Sequence, residues 1–261
     1  MNHPKLKPTA SVLGLHGFRG DHLSSEVFAL FHQEVLEAFA RCGVSATYFA
    51  AEGDGYSGEF APITGSSYKK LKSSDHRGIS VLSLAANPLR SDEPAFDSFA
   101  TASLSYLPST HDVTLCLVIN EGAMSFGREE YFTTLAQLAS LYSWFGGYGY
   151  PEAVDRQPDL FVLGLDSGKL SPAELKRLRA WYVATPQRRM LCLRDVYRWN
   201  LLTDGILNRQ LDGDRSLRTI IEKSGYQVEK LPGDGLYLWR VEEARLDEER
   251  TRLQKVGLIV E

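Results

Sequence analysis

Basic excess is missing from this chain of 261 residues. Its 29 Lys and Arg stand against 33 Asp and Glu, for a formal net charge of −4. A protein that tracks the phosphate backbone of DNA or RNA carries a positive face, so nucleic acid is not an expected partner. Mild acidity suits a partner that is itself basic. Cysteine is scarce: Cys42, Cys116 and Cys192 are far apart and odd in number. Two of them sit in apolar runs, so they read as small buried hydrophobes in a reducing compartment and not as a disulfide frame. No apolar run approaches the ~18 residues that cross a bilayer. The opening Met1-Asn2-His3-Pro4-Lys5-Leu6-Lys7-Pro8 lacks the apolar core of a secretory signal. The expected location is cytoplasmic, with no membrane partner.

Complete catalytic motifs are also lacking. Leu15-His16-Gly17-Phe18 is similar to the His-Gly loop of α/β-hydrolases, but that fold needs a Gly-x-Ser-x-Gly elbow. Gly55-Tyr56-Ser57-Gly58-Glu59 has the wrong spacing for one. A phosphate loop around Gly164–Lys169 fails because Leu163 stands at the first glycine position and Leu170 where the hydroxyl should follow the lysine. Asp212-Gly213-Asp214-Arg215-Ser216 opens like a calcium loop, but Leu217 replaces the turn glycine and Lys223 the bidentate glutamate. The six His, at positions 3, 16, 22, 32, 76 and 111, form no i, i+4 pair, and no cysteines form a knuckle. No metal or cofactor is therefore expected.

What the chain does have is rings: twelve Tyr, twelve Phe and four Trp, which fill cores and anchor interfaces. Residues 11–18 alternate as a first strand. Phe28, Phe31, Val35, Ala38, Phe39 and Cys42 form one apolar stripe and predict a helix over 24–42, closed by Gly43. Strands are expected at 44–50, 79–85, 113–119 and 160–165, the third buried on both faces. Residues 53–78 and 86–98 read as loops. A helix over 129–145 should stop at Gly146-Gly147, with a turn through Pro151 after it. Ser171-Pro172-Ala173-Glu174 is a capping box that starts a helix running to about Ala184. A short strand near 190–193, a turn at 197–202, a helix from an Asp214 cap to Gly225, an antiparallel pair at 226–231 and 236–241, and a charged helix at 244–256 complete the chain. Interspersed helices and strands with a hairpin predict an α+β fold: a mixed, largely antiparallel sheet with packed helices. A single domain over 1–261 is expected, any divide into two lobes falling near 100–125.

The C-terminal third carries a packing signature. Leu193-Arg194-Asp195-Val196-Tyr197-Arg198-Trp199-Asn200-Leu201-Leu202 is followed by Ser216-Leu217-Arg218-Thr219-Ile220-Ile221 and Gly233-Asp234-Gly235-Leu236-Tyr237-Leu238-Trp239-Arg240-Val241. Trp199 and Trp239 are expected in the core. This order resembles the C-terminal half of bacterial immunity proteins that guard against polymorphic and type VI secretion toxins, the TsiT-like family. The resemblance covers roughly residues 130–258, and the N-terminal half matches in layout alone. It implies a non-enzymatic inhibitor of a restriction-endonuclease-fold toxin. The inhibitor would bind a cognate nuclease effector one-to-one and occlude its active or assembly surface, burying on the order of 1,600 Å².

Nine residues are candidates for that partner surface. Glu52, Asp54, Glu59, Asp92, Glu93 and Asp97 fall in expected loops, where carboxylates imitate nucleic-acid phosphates or are simply solvated. Trp144, Tyr148 and Tyr150 lie in a ring-and-glycine segment that either plugs the core or docks a partner. The alternative is a hydrolase of unrecognised type. Glu121 and Asp166 follow apolar strands directly, and with His16 they would make an acid–base set if they shared one cleft. A scaffold or adaptor inside a secretion apparatus is a third possibility.

Overall fold

The computed structural model describes residues 9–18, 23–41, 44–86, 100–120, 137–211, 215–231 and 235–260. Its strands are β1 (Thr9–Phe18), β2 (Tyr48–Gly53), β3 (Tyr56–Ser57), β4 (Ala61–Pro62), β5 (Ile79–Ala86), β6 (Ala100–Leu107) and β7 (Asp112–Asn120). After these come β8 (Gly146–Ala153), β9 (Trp199–Thr203), β10 (Gln210–Leu211), β11 (Arg215–Ser216), β12 (Val228–Lys230) and β13 (Leu236–Arg240). Apart from the β10–β11 hairpin they form one sheet in the order β12-β13-β9-β8-β1-β7-β6-β5-β2-β3, with β4 also on β2. Every strand pairing in it is antiparallel. The fold is α+β.

Period-two alternation decides what each face holds. One face carries Leu13 and Leu15 of β1, Leu82 and Leu84 of β5, Leu104 of β6, and Leu115 and Leu117 of β7. Helix Ser25–Arg41 packs on it through Phe28, Phe31, Val35 and Phe39, and helix Ser66–Ser73 adds Tyr68 and Leu71. The other face is covered unevenly. Over β9 and β13, Leu202, Trp239 and Val241 bury against Leu217 and Ile221 of helix Leu217–Lys223 and Leu253 of helix Leu246–Lys255. Helix Pro158–Val162 covers β1 and β7. It sits close because β1 has a glycine there: a Cβ on Gly14 would lie 2.9 Å from Val162 Cγ1.

The two halves of the sheet join where β1 pairs with β8, Leu13 facing Gly149 and Leu15 facing Gly147. The join depends on Gly147, because a Cβ there would lie 2.4 Å from the Gly14 carbonyl oxygen. Backbone on a neighbouring strand cannot give way cheaply. Gly147→Ala should lower unfolding free energy by about 1–3 kcal/mol, read in urea melts.

Several expectations need correcting. The 160–165 run is helix Pro158–Val162 and a turn, because Pro158 takes the first helical position. Of the strand expected near 190–193, Met190 and Leu191 end helix Pro186–Leu191, which is capped by Thr185, whose hydroxyl accepts the Arg188 N–H, while Leu193 makes a parallel bridge with Ile259. Residues 146–153 are β8 and not a turn, and the 197–202 turn is mostly β9. The 44–50 strand starts later, at Tyr48, and the 53–78 loop contains helix Ser66–Ser73. Other readings agree. Ser171 accepts the Glu174 N–H while Glu174 accepts the Ser171 N–H. Trp239 is fully buried, and Trp199 is half-buried against the core. Ser216 caps helix Leu217–Lys223, its hydroxyl accepting the Thr219 N–H, and the expected cap Asp214 lies outside the described residues. Of the helix expected over 129–145, residues 129–136 lie outside them too; 137–140 are helical and 141–145 are turn and irregular chain, so the helix stops well before Gly146. Among the described residues, no helix is long and apolar enough to cross a membrane.

Candidate functional site

Among the described residues, one stretch of the sheet's second face is left uncovered. The outward side chains of β2, β5 and β6 there include the small Ala50, Ser83, Ser103 and Ser105 beside Val81 and Thr101, and Cys116 of β7 lies at the edge, under helix Pro158–Val162. Register places Ala50 opposite Ser83, Ser83 opposite Ser103, and Ser103 opposite Cys116, so they form one continuous floor. Gly58 and Phe60 bound the floor on one side. Leu160, Leu163 and Leu165, in and after helix Pro158–Val162, bound the other. The groove encloses about 420 Å³.

Two properties make it more than a packing gap. Leu107 and Leu165 on its rim are 43% and 54% exposed, apolar surface left in water. Its charge is also of one sign. Glu52 and Asp159 line it, and no Lys, Arg or His does so among the described residues. Among the described residues neither carboxylate makes a salt bridge. Burial pushes the Asp159 carboxyl above the usual range, against backbone N–H groups that favour its ionised form. Burial likewise raises the Cys116 thiol, which makes it a poor nucleophile at neutral pH.

A second cluster, beside the groove, is built differently. Arg194 is buried among rings, its guanidinium 4.1 Å from the centre of Phe161. It donates to the Tyr148 hydroxyl and to the Phe161 carbonyl. Tyr148 stacks on Tyr197 with ring centres 4.2 Å apart. Burial raises the hydroxyl pKa of Tyr148, Tyr150 and Tyr197, which keeps these groups as neutral hydrogen-bond partners. The adjoining cavity of about 110 Å³ holds Glu152, Glu174 and Asp195 with Arg156, Arg177 and Arg250. All six are paired. Arg156 lies 3.1 Å from Glu152 and 3.0 Å from Glu174, while Asp195 takes Arg177 at 2.7 Å and Arg250 at 2.6 Å. This cavity is already neutral and ties the Pro172–Val183 and Leu246–Lys255 helices together. The groove is not neutral, which marks it as the candidate site.

The residues singled out from sequence fall in different places. Glu52 lines the groove. Asp54 and Glu59 are exposed in the β2–β4 turns. Trp144 and Tyr148 are 6% and 3% exposed, so they are core and not docking rings; alternation points Tyr148 inward, and the Trp144 indole donates to the Leu138 carbonyl. Tyr150 is half-buried at the paired-charge cavity. Asp92, Glu93, Asp97 and Glu121 lie outside the described residues. Of the proposed acid–base set, His16 is buried against Trp181 and Tyr148, and burial, with Arg194 and Arg189 nearby, lowers its pKa well below the usual value. Asp166 is exposed in a loop, accepting the Gly168 N–H, and does not line the cavity at His16. Among the described residues, no three metal-ligating side chains cluster.

Apart from Glu52, the residues of the groove's floor and rim are inconspicuous in the sequence. Ser103, Ser105 and Leu107 stand on β6, which no hydrophobic run announces. A signal was present: Ala100, Ala102, Leu104 and Tyr106 alternate with Thr101, Ser103, Ser105 and Leu107.

No protein-family model matches the chain. No curated protein matches it in sequence. Among solved structures it is similar to the Pseudomonas aeruginosa T6SS protein PA0821, over 99% of this chain and 76% of that one, with a TM-score of 0.60 and 13% identity. That likeness shows a shared fold. A second solved structure is the toxic C-terminal tip of CdiA from Pseudomonas aeruginosa in complex with an immune protein. It aligns over 57% of this chain and 90% of that chain, with a TM-score of 0.26 and 10% identity, too low to carry an argument.

Proposed function

We propose that this protein is a non-enzymatic immunity protein. It binds one cognate secreted toxin, one-to-one in the cytoplasm, and neutralises it by covering an active or assembly surface. The observation that carries this reading is the groove: an acidic, leucine-edged surface with no Lys, Arg or His lining it among the described residues, beside a charge cluster that is fully paired. Such a surface is suited to a protein partner with basic side chains, as a nuclease has. The fold shared with a T6SS protein supports the secretion context. The TsiT-like packing signature of residues 193–241 supports the finer reading, a nuclease effector.

The test is co-expression with the product of the adjacent reading frame. The expected result is rescue of growth and co-elution as a 1:1 complex. Titration separates this reading from the hydrolase alternative. An inhibitor that works by coverage reaches its end point at one equivalent of toxin. Complete neutralisation by a small fraction of an equivalent would mean turnover and overturn it.

A further inference from the structure

We infer that the groove receives one α-helix of the toxin, an amphipathic helix whose apolar stripe meets the serine floor and whose Lys or Arg reaches Glu52 and Asp159. This rests on the immunity reading and names the chemistry of that site's occupant.

Width sets the first constraint. Beside helix Pro158–Val162, which covers β7, the three strands β2, β5 and β6 remain, and at ~4.8 Å each they offer about 14 Å, while a helix with its side chains is about 10–12 Å across. The opposite face of the same strands already seats a helix, Ser25–Arg41 over β5 and β6. The small floor residues let a second backbone come close where bulky ones would hold it off. An added strand does not fit, because β5, β6 and β7 each have both edges paired and offer no free backbone donors. The occupant must recognise side chains.

Charge sets the second constraint. Two carboxylates with no cation beside them among the described residues favour a basic segment and disfavour a second copy of this acidic chain or an anionic membrane. A guanidinium or ammonium beside Asp159 would restore the ionised form that burial opposes. The exposed Leu107 and Leu165 supply the apolar contact at the rim.

The experiment uses the full chain and a catalytically inactive form of the adjacent reading frame's product. Leu165→Asp alters an exposed position and should leave the thermal midpoint unchanged while weakening binding at least tenfold. Glu52→Lys should weaken binding by a similar factor and reduce its salt dependence. Ser103→Cys should react with maleimide in the free protein and be protected at least tenfold in the complex. Wild-type affinity in a folded Leu165→Asp variant, or equal labelling of Ser103→Cys with and without toxin, would overturn the groove assignment and leave the immunity reading standing. Failure of the wild-type chain to bind the toxin at all would overturn both.

Discussion

Replacing Arg189 by methionine should lower the unfolding free energy by about 3–5 kcal/mol. Arg189 Nη2 lies 2.7 Å from Asp112 Oδ1, and the two side chains are only 5% and 6% exposed. The pair joins helix Pro186–Leu191 to the start of β7, so it closes the long crossover between the sheet's N-terminal half and the helices that follow β8. Both ions have already lost their water. Methionine fills the same channel but leaves the Asp112 carboxylate buried with no cation, and that stranded charge is the source of the cost. Among the described residues the Arg189 Nε has no hydrogen-bond partner, so the wild-type pair is not a well-satisfied network. A matched apolar pair should therefore do nearly as well: Asp112→Leu with Arg189→Met is expected within about 1 kcal/mol of wild type. Urea unfolding of the wild type, both single variants and the double variant completes the cycle. A cost below about 1 kcal/mol for a correctly folded Arg189→Met would show that solvent reaches Asp112 and that the pair is a surface contact.

The elements legible in the sequence are those whose cause is local. Helix Ser25–Arg41 announces itself because one stripe of large rings faces one sheet. The capping box at Ser171 and Glu174 involves neighbours in the chain, so spacing alone finds it. The errors lie where two local rules compete. Leu160–Leu165 is short and apolar enough for a strand, but Pro158 fixes a helical start, and the proline wins. Helix Ser66–Ser73 offers only Tyr68 and Leu71 to the core, too thin a stripe to read. The candidate site was hidden for a different reason. Sequence reasoning looks for conspicuous residues, such as rings and acids, whereas this groove is made by the smallness of Ala50, Ser83, Ser103 and Ser105. Room is a property of several strands together. The rings that drew attention, Trp144 and Tyr148, are needed inside, and Arg194 is a cation among them that no pattern in Leu193-Arg194-Asp195 foretells. Of the nine partner-surface candidates, Glu52 lines the groove, because β2 happens to carry it beside Val81 on the open face.

Stability should also fall between pH 7 and pH 5, before most carboxylates titrate. His32, on helix Ser25–Arg41, sits in a buried chain: its Nδ1 is 2.9 Å from His76 Nε2, and its Nε2 is 2.6 Å from the Tyr68 hydroxyl. Burial, then His76 and Lys72, lower its pKa from 6.5 to about 4. His76 is lowered by burial and by Lys72, with Asp75 opposing, and His16 is lowered by its own burial. Above pH 6.5 these rings are largely neutral in both folded and unfolded chains, and stability is at its full value. As pH falls from 6.5 towards 4, the unfolded chain binds protons that the folded one refuses, so stability declines through that window. Below 4, His32 is protonated in the folded state too, and its contribution levels off. Allowing for partial access of water, His32 alone accounts for a loss on the order of 1–2 kcal/mol by pH 5. The effect should be felt where helix Ser25–Arg41 meets helix Ser66–Ser73, the layer behind the groove's floor. Urea unfolding at pH 7.0 and 5.0 measures it. His32→Gln should be less stable at pH 7, having lost its place between His76 and Tyr68, and should show a shallower decline towards pH 5. An unchanged wild-type midpoint across that interval, or a decline in His32→Gln as steep as in the wild type, would mean that His32 takes up its proton in the folded state as readily as in the unfolded one.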